Sequence, residues 1–233
     1  MAQITRLDLT KHKQIMLNIL VDIYRDFDLW SSLGFKWWTA CFFLYALDRF
    51  STDLDFDLVK DTRKEIIFEK IKKIASKYWE IKDSYIKSNT IFILLSFGEI
   101  EHNIKIEIST RNTKNSYSRF NFNWLSILAM KKEDIFANKL YAFLNRSALA
   151  NRDIFDIHFF FRNNWNINKE LFTELVWKDF KKWVDDCIKK LEQLPKNHRI
   201  LDWLWMLLSS EKQKNDVKSN LVQETIFYLK TVF

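Results

Sequence analysis

The chain has 233 residues, of which 48% are hydrophobic, with a formal net charge of +7 and a pI near 9.2. The polar start predicts no signal peptide, and no apolar run approaches the roughly 20 residues that span a bilayer, so a secreted or membrane-spanning protein is not expected. Two distant cysteines, Cys41 and Cys187, indicate neither a disulfide framework nor a zinc site, and we expect a cytoplasmic protein.

Helices and strands alternate in the first half of the sequence. Apolar residues at helical spacing predict the helices, and strict alternation of apolar and polar residues predicts the strands at 53–59 and 103–109. The predicted elements are a helix at 10–29, a short buried helix at 39–48, a strand at 53–59, an amphipathic helix at 63–77, and strands at 90–97 and 103–109 that a turn at 98–102 connects.

A polar stretch, 110–123, separates this part from a helical remainder. Helices are predicted at 132–146, 151–162, 168–192 and 210–231. The string SSEKQ at 209–213 supplies a serine N-cap and an acid for the last of these helices. We therefore expect an α/β (α+β) protein, with a mixed-sheet core in residues 1–123 and a helical domain in 124–233.

Acidic residues alternate along the strand at 53–59. Asp53, Asp55 and Asp57 share one face, where neighbouring carboxylates lie about 7 Å apart, and Glu107 lies on the polar face of another strand. If these strands pair, Asp53, Asp55 and Glu107 can bind two Mg²⁺ ions for phosphoryl or nucleotidyl transfer, and Glu107 can act as the base. The alternative is a solvated strand face, which like-charge repulsion disfavours. Whether Asp57 binds metal or only adds charge stays open.

Glycine and tryptophan usage is abnormal. The chain has 2 Gly and 10 Trp, whereas average usage gives about 7% Gly, on the order of 16 residues. Several tryptophans occupy turn or helix-end positions, where glycine is favoured because it adopts positive φ without cost. One hypothesis is that these are native glycines, since UGA encodes Trp in some bacteria and Gly in others. The other is a Trp-rich protein.

The segment KWWTAC, followed by LDRFSTDLDF, resembles the AbiEii-type toxins, nucleotidyltransferases of the DNA polymerase β superfamily. That family has KGGTAL, a helix, and then RFSxDLDF, so Trp37 and Trp38 stand where the glycines belong. Phosphates approach bare backbone N–H groups at such a helix start, and indoles would obstruct them. The resemblance, which covers roughly residues 12–230, implies that the mixed-sheet core is of the nucleotidyltransferase type. It also implies that the nucleotide-binding residues here are Lys36, Trp37, Trp38, Thr39, Arg49 and Ser51.

A second similar stretch is EDIFANKLYAFLNR with NRDIFDIHFF, residues 133–160. By resemblance, Lys139 contacts the triphosphate and is catalytic, and Arg146 helps to hold the site. Asp153 and Asp156 match the other family signature and join the expected nucleotide site. The alternatives are that Asp156 only pairs with Arg152 on a helix surface and that Lys139 simply snorkels to solvent.

The resemblance implies a toxin of a bacterial toxin–antitoxin or phage-defence pair. It would use NTP and Mg²⁺ to transfer a nucleotide to an RNA acceptor, such as the tRNA 3′ end, and the basic charge fits this partner. A nearby helix-turn-helix antitoxin is implied, acting without a stable complex, and we expect a monomer. If Trp37 and Trp38 are genuine, the alternative is a catalytically inactive binding protein with the same fold. A module that stacks RNA bases on tryptophan is less favoured.

Overall fold

The computed structural model describes residues 9–60, 62–96, 103–176 and 179–232, so the turn predicted at 98–102 lies outside the described residues. Both helices and strands occur before residue 131, and helices follow. In chain order the elements are α1 (Leu9–Arg25), α2 (Phe27–Ser32), β1 (Leu33–Phe35), α3 (Trp37–Leu44), β2 (Asp53–Leu58), α4 (Lys64–Ala75), β3 (Glu80–Lys87), β4 (Thr90–Ser96), β5 (Asn103–Ser109), β6 (Tyr117–Phe122), β7 (Leu125–Met130), α5 (Lys132–Asn145), α6 (Asn151–Arg162), α7 (Lys169–Val176), α8 (Phe180–Glu192), a 3₁₀ turn (Trp205–Leu207) and α9 (Glu211–Lys230).

The described strands form a mixed seven-stranded sheet in the order β3-β4-β5-β2-β1-β7-β6. Strand β2 lies at its centre, parallel to β5 and antiparallel to β1. The predicted α/β class is therefore confirmed. The predicted strands 53–59, 90–97 and 103–109 correspond to β2, β4 and β5, whereas β1, β3 and β6 were not predicted. Strand β7 lies in the part that was assigned to the helical domain. The stretch 110–123 is not simply a connection, because β6 and β7 form a hairpin within and beyond it.

The apolar positions of the central strands supply the sheet's share of the core. Leu54 and Phe56 of β2 and Ile106 and Ile108 of β5 are fully buried, as their alternation predicted. Helices α1 and α4 pack on the sheet and on each other. The helix predicted at 10–29 is interrupted, because the Asp26 side chain accepts hydrogen bonds from Asp28 N and Leu29 N and so begins α2.

The helices of the helical part agree closely with the predicted spans, except that one predicted helix is divided in two. The predicted helix 168–192 consists of two helices, and Asp179 caps the second by accepting a hydrogen bond from Lys182 N. Ser210 caps α9 in the same way by accepting from Gln213 N. No helix of the described residues combines the length and apolarity that crossing a membrane requires.

Close contacts divide the chain into two compact units. The sheet unit contains the described residues of 1–46 and 51–130, and the helical unit contains those of 47–50 and 131–233. The division falls after Met130 rather than at 123, since β6 and β7 extend the sheet. The segment Leu47–Phe50 belongs to the helical unit, where the Phe50 amide donates to the Leu207 carbonyl at 2.8 Å.

Candidate active site

Three carboxylates meet on two neighbouring strands of the sheet unit. The parallel register of β2 and β5 sets Asp55 opposite Glu107 and Asp53 opposite Lys105. Register partners project from the same face of a sheet, and the intervening apolar residues project from the other face into the core. The structure thus places Asp53, Asp55 and Glu107 side by side.

A fourth member of this cluster, Lys105, was not predicted from the sequence. Its ammonium nitrogen lies 3.4 Å from Asp53 Oδ2 and 3.4 Å from Glu107 Oε2. Burial alone would lower the pKa of Lys105, but the charges of Asp53, Asp55 and Glu107 outweigh burial and raise it. Lys105 therefore remains a cation. Its position two residues before Glu107 on an alternating strand was the signal that could have identified it.

Asp55 is the most buried of the three acids, with 3% of its surface exposed. Desolvation is the main reason that its pKa rises to about 7, and the neighbouring charges of Asp53 and Glu107 add to the rise. Lys105 and Lys36 act in the opposite direction. A carboxylate in this position is stabilised by any cation that comes close to it.

The donor chemistry of this cluster suits a hard divalent cation, because carboxylate oxygens are the ligands that Mg²⁺ prefers. The buried Asp55, with its raised pKa, also lacks full charge compensation from the protein. Within the described ranges, however, no group of three or more acidic, His or Cys side chains is already arranged around a metal position. The ammonium of Lys105 lies between two of the expected ligands instead.

Helix α3 begins close to these acids. Lys36 is its N-cap residue, and its amide donates to the Asp55 carbonyl at 3.0 Å. Trp37 has a φ of 57°, a left-handed conformation that is strained for a bulky residue and free of cost for glycine. Trp37 and Trp38 stack with ring centroids 5.1 Å apart. The two indoles belong to the first two residues of α3, the helix start where phosphate was expected to bind.

Two further predicted nucleotide contacts connect α3 to β2. The Thr39 hydroxyl donates to the Asp53 carbonyl at 2.5 Å and lies 2.9 Å from the Ser51 hydroxyl. Both side chains are buried. In this structure they hold the helix start beside the acidic strand.

The remaining predicted residues form a second cluster, inside the helical unit. The Lys139 ammonium lies 2.8 Å from Asp153 Oδ1 and 2.7 Å from Asp156 Oδ2. The Arg49 guanidinium donates to both oxygens of Asp156, at 2.6 and 2.7 Å. Arg146, which is partly exposed, places Nε 2.9 Å from Asp153 Oδ2. The structure brings these five residues together.

Two alternative interpretations of this cluster are wrong. Asp156 is fully buried and pairs with Arg49 and Lys139, so the surface pair with Arg152 is not formed. Lys139 does not snorkel, because none of its side chain is exposed. Burial alone would raise the pKa of Asp156, but Arg49 and Lys139 hold the pKa below its ordinary value.

The chain is similar to known proteins in sequence and in fold. The sequence model of one protein family, described as "Nucleotidyl transferase AbiEii toxin, Type IV TA system", matches residues 39–203. JHP933 from Helicobacter pylori has a similar structure, with 22% identity and a TM-score of 0.61 over 96% of this chain and 91% of that chain. A second protein from H. pylori, provisionally described as a nucleotidyltransferase, has 22% identity and a TM-score of 0.64 over 96% of this chain and 94% of that chain. No curated protein sequence matches the chain significantly.

Proposed function

The chain belongs to the AbiEii family of nucleotidyl transferase toxins of type IV toxin–antitoxin systems, and we propose that it transfers a nucleotide from an NTP to an RNA acceptor with the help of Mg²⁺. The tRNA 3′ end is the proposed acceptor, and phage defence is the proposed setting. One observation carries the proposal. Asp53, Asp55 and Glu107 project together from two paired strands beside the start of a helix.

The carboxylates of Asp53, Asp55 and Glu107 would hold the metal. When bound, Mg²⁺ would neutralise triphosphate charge and lower the pKa of an attacking hydroxyl. Glu107, one-third exposed, would accept the proton of the acceptor hydroxyl. The start of α3 would offer backbone N–H groups to the phosphates, as helix N-termini do for anions.

The helical cluster contains the second group of residues that we propose for nucleotide binding. Lys139 remains our proposed triphosphate contact and catalytic residue, with Arg49, Arg146, Asp153 and Asp156 around it. Two carboxylates hold its ammonium in one place in this structure. No part of the Lys139 side chain is exposed, so contact with a triphosphate requires that the two carboxylates release the ammonium.

The charge of the whole chain favours an RNA acceptor. With a formal net charge of +7, the protein attracts polyphosphate partners over distances set by the ionic strength. The family description implies an antitoxin partner. We propose a helix-turn-helix regulator encoded nearby that acts without a stable complex, and a monomeric toxin.

The indoles of Trp37 and Trp38 determine which of two functions the chain has. With tryptophan at both positions we expect weak or no NTP binding, and the second candidate, an inactive binding protein with the same fold, is then favoured. The joint change Trp37→Gly with Trp38→Gly should restore binding, because it opens the helix start to phosphate. Equal NTP affinity before and after the change would contradict this reasoning.

The activity is tested by incubating each version with radiolabelled NTPs, Mg²⁺ and total tRNA. We expect label in RNA with the Trp37→Gly, Trp38→Gly variant and at least a hundredfold less when Asp53→Ala is added. The matched control is Asp83→Ala, which removes an exposed acid from β3 of the same sheet. Undiminished labelling with Asp53→Ala would refute the proposed role of the acidic strand.

A further inference from the structure

We propose that Asp57 and Tyr117 are positioning residues, which hold Lys36 and thereby fix the first turn of α3 beside the carboxylates of β2. This inference rests on the proposed function, since it concerns the place where the triphosphate would bind. It assigns the third acid of the alternating strand to the protein's own structure rather than to the metal.

The contacts of Asp57 are the first observation that supports this inference. Its Oδ1 accepts a hydrogen bond from the Lys36 ammonium at 2.7 Å, and both side chains are only 4% exposed. Its Oδ2 accepts a hydrogen bond from the Tyr117 hydroxyl. Both carboxylate oxygens are therefore engaged by side chains. Asp53 and Glu107, by contrast, are about one-third exposed and share the single ammonium of Lys105.

Lys36 transmits this arrangement to α3. Its side chain is bound to Asp57, and its backbone amide donates to the Asp55 carbonyl at 3.0 Å. Two attachments to β2 thus hold the residue that caps α3. The next residue, Trp37, adopts the left-handed conformation, so the chain turns sharply at the point that Lys36 holds.

Gly34 provides an independent observation. It is the register partner of Asp57 on β1, and a Cβ at this position would lie 2.6 Å from Cδ1 and 2.9 Å from Cζ of Tyr117. Only glycine leaves room for the tyrosine ring there. One of the 2 glycines in the chain therefore permits the contact between Tyr117 and Asp57.

The chemistry of the Lys36–Asp57 ion pair suits a positioning role. A buried ion pair is weak evidence for stability, because apolar residues of similar size often stabilise a core as well, but it can specify one geometry. Desolvation, followed by the charge of Asp57, raises the pKa of Tyr117, so the hydroxyl stays protonated and continues to donate. The Tyr117 hydroxyl thus holds one oxygen of Asp57 while the other accepts from Lys36.

The inference is tested first without nucleotide, by hydrogen–deuterium exchange of the full chain. Asp57→Asn and Tyr117→Phe should each speed exchange at residues 37–42 at least tenfold, with α8 and α9 unchanged. The matched control is Tyr24→Phe, which also removes a buried tyrosine hydroxyl, one that donates to Leu33 of β1 at 2.9 Å. Unchanged exchange at 37–42, or an equal increase with Tyr24→Phe, would overturn the inference.

A second measurement separates positioning from metal binding. In the Trp37→Gly, Trp38→Gly background, Asp57→Asn should weaken ATP binding about tenfold and leave Mn²⁺ affinity, followed by electron paramagnetic resonance, within about twofold. Loss of Mn²⁺ binding equal to that with Asp53→Asn would show that Asp57 is a metal ligand and would refute positioning. If no variant binds ATP, the proposed function fails, and the exchange result alone still decides whether Asp57 and Tyr117 hold α3.

Discussion

Trp203 offers a direct test of whether glycine belongs at a tryptophan position. Its φ is 63°, and its side chain is 86% exposed. A non-glycine residue in the left-handed region costs about 1–3 kcal/mol, and an exposed side chain returns little of this through packing. Glycine removes the strain but loses more backbone entropy on folding, roughly 0.5–1 kcal/mol. We therefore expect Trp203→Gly to raise the free energy of unfolding by about 1 kcal/mol.

The assay is urea unfolding followed by far-ultraviolet circular dichroism, with thermal unfolding as a second measurement. In a domain of 150–250 residues, about 1 kcal/mol corresponds to a rise in Tm of roughly 2–4 °C. Trp203→Ala is the matched control, since it removes the indole and keeps the Cβ that causes the strain. We expect it to change stability by no more than about 0.5 kcal/mol. Equal effects of Gly and Ala, or a loss of stability with Gly alone, would refute the backbone argument.

Three further predictions concern the two charged clusters. Lys105→Met should tighten Mn²⁺ binding, measured by calorimetry, about tenfold, because it removes an ammonium 3.4 Å from two expected ligands. The control Lys87→Met, at an exposed position, should leave Mn²⁺ affinity unchanged. Weaker Mn²⁺ binding by Lys105→Met would contradict the prediction. Asp156→Asn should lower the free energy of unfolding by about 3–5 kcal/mol, since it leaves Arg49 and Lys139 buried without their shared counter-charge. The folded pKa of Asp156 is lowered, so its stabilising effect is present above the ordinary carboxyl pKa and is lost as pH falls through the lower folded value. Acid titration of unfolding should thus be steeper below about pH 4 in the unaltered protein than in Asp156→Asn, and parallel curves would count against the pairing.

The position of each strand in the sheet explains which strands the sequence could predict. Strands β2, β4 and β5 lie inside the sheet. Strict alternation revealed β2 and β5, and β4 contains a run of five apolar residues. Strands β3 and β6 are its two edges, where polar residues occur on both faces, and their sequences lack a clean period of two. Strand β1 has only three residues, too few to show any period.

The candidate site, like the sheet, was predictable only where the sequence shows a local period. Alternation was enough to place Asp53 and Asp55 on one face, and the pairing of β2 with β5 then brought Glu107 to them. The partners of Asp156 were not predictable, because Arg49 lies 107 residues away and a helical spacing of four suggested Arg152 instead. Local periodicity gives the face of a residue, whereas the choice between buried partners depends on tertiary packing.

Backbone and packing together also separate the tryptophans from one another. Trp37 and Trp203 adopt positive φ, and Trp124 and Trp165 directly follow Asn123 and Asn164, which do so as well. Asn-Gly is the sequence expected at such turns.

Trp183 differs from these tryptophans in its burial and packing. It is 1% exposed in the interior of α8 and contacts Phe172 with ring centroids 4.6 Å apart. Its buried indole N–H has no hydrogen-bond partner in the described structure, which costs about 1–3 kcal/mol, but removing a buried tryptophan typically costs about 3–5 kcal/mol. Packing therefore favours tryptophan at 183, while the backbone favours glycine at 37 and 203. If recoding is the cause, the gene should carry UGA at 37 and 203 and UGG at 183, and UGG at all three positions would leave the strained backbone as a property of the native protein.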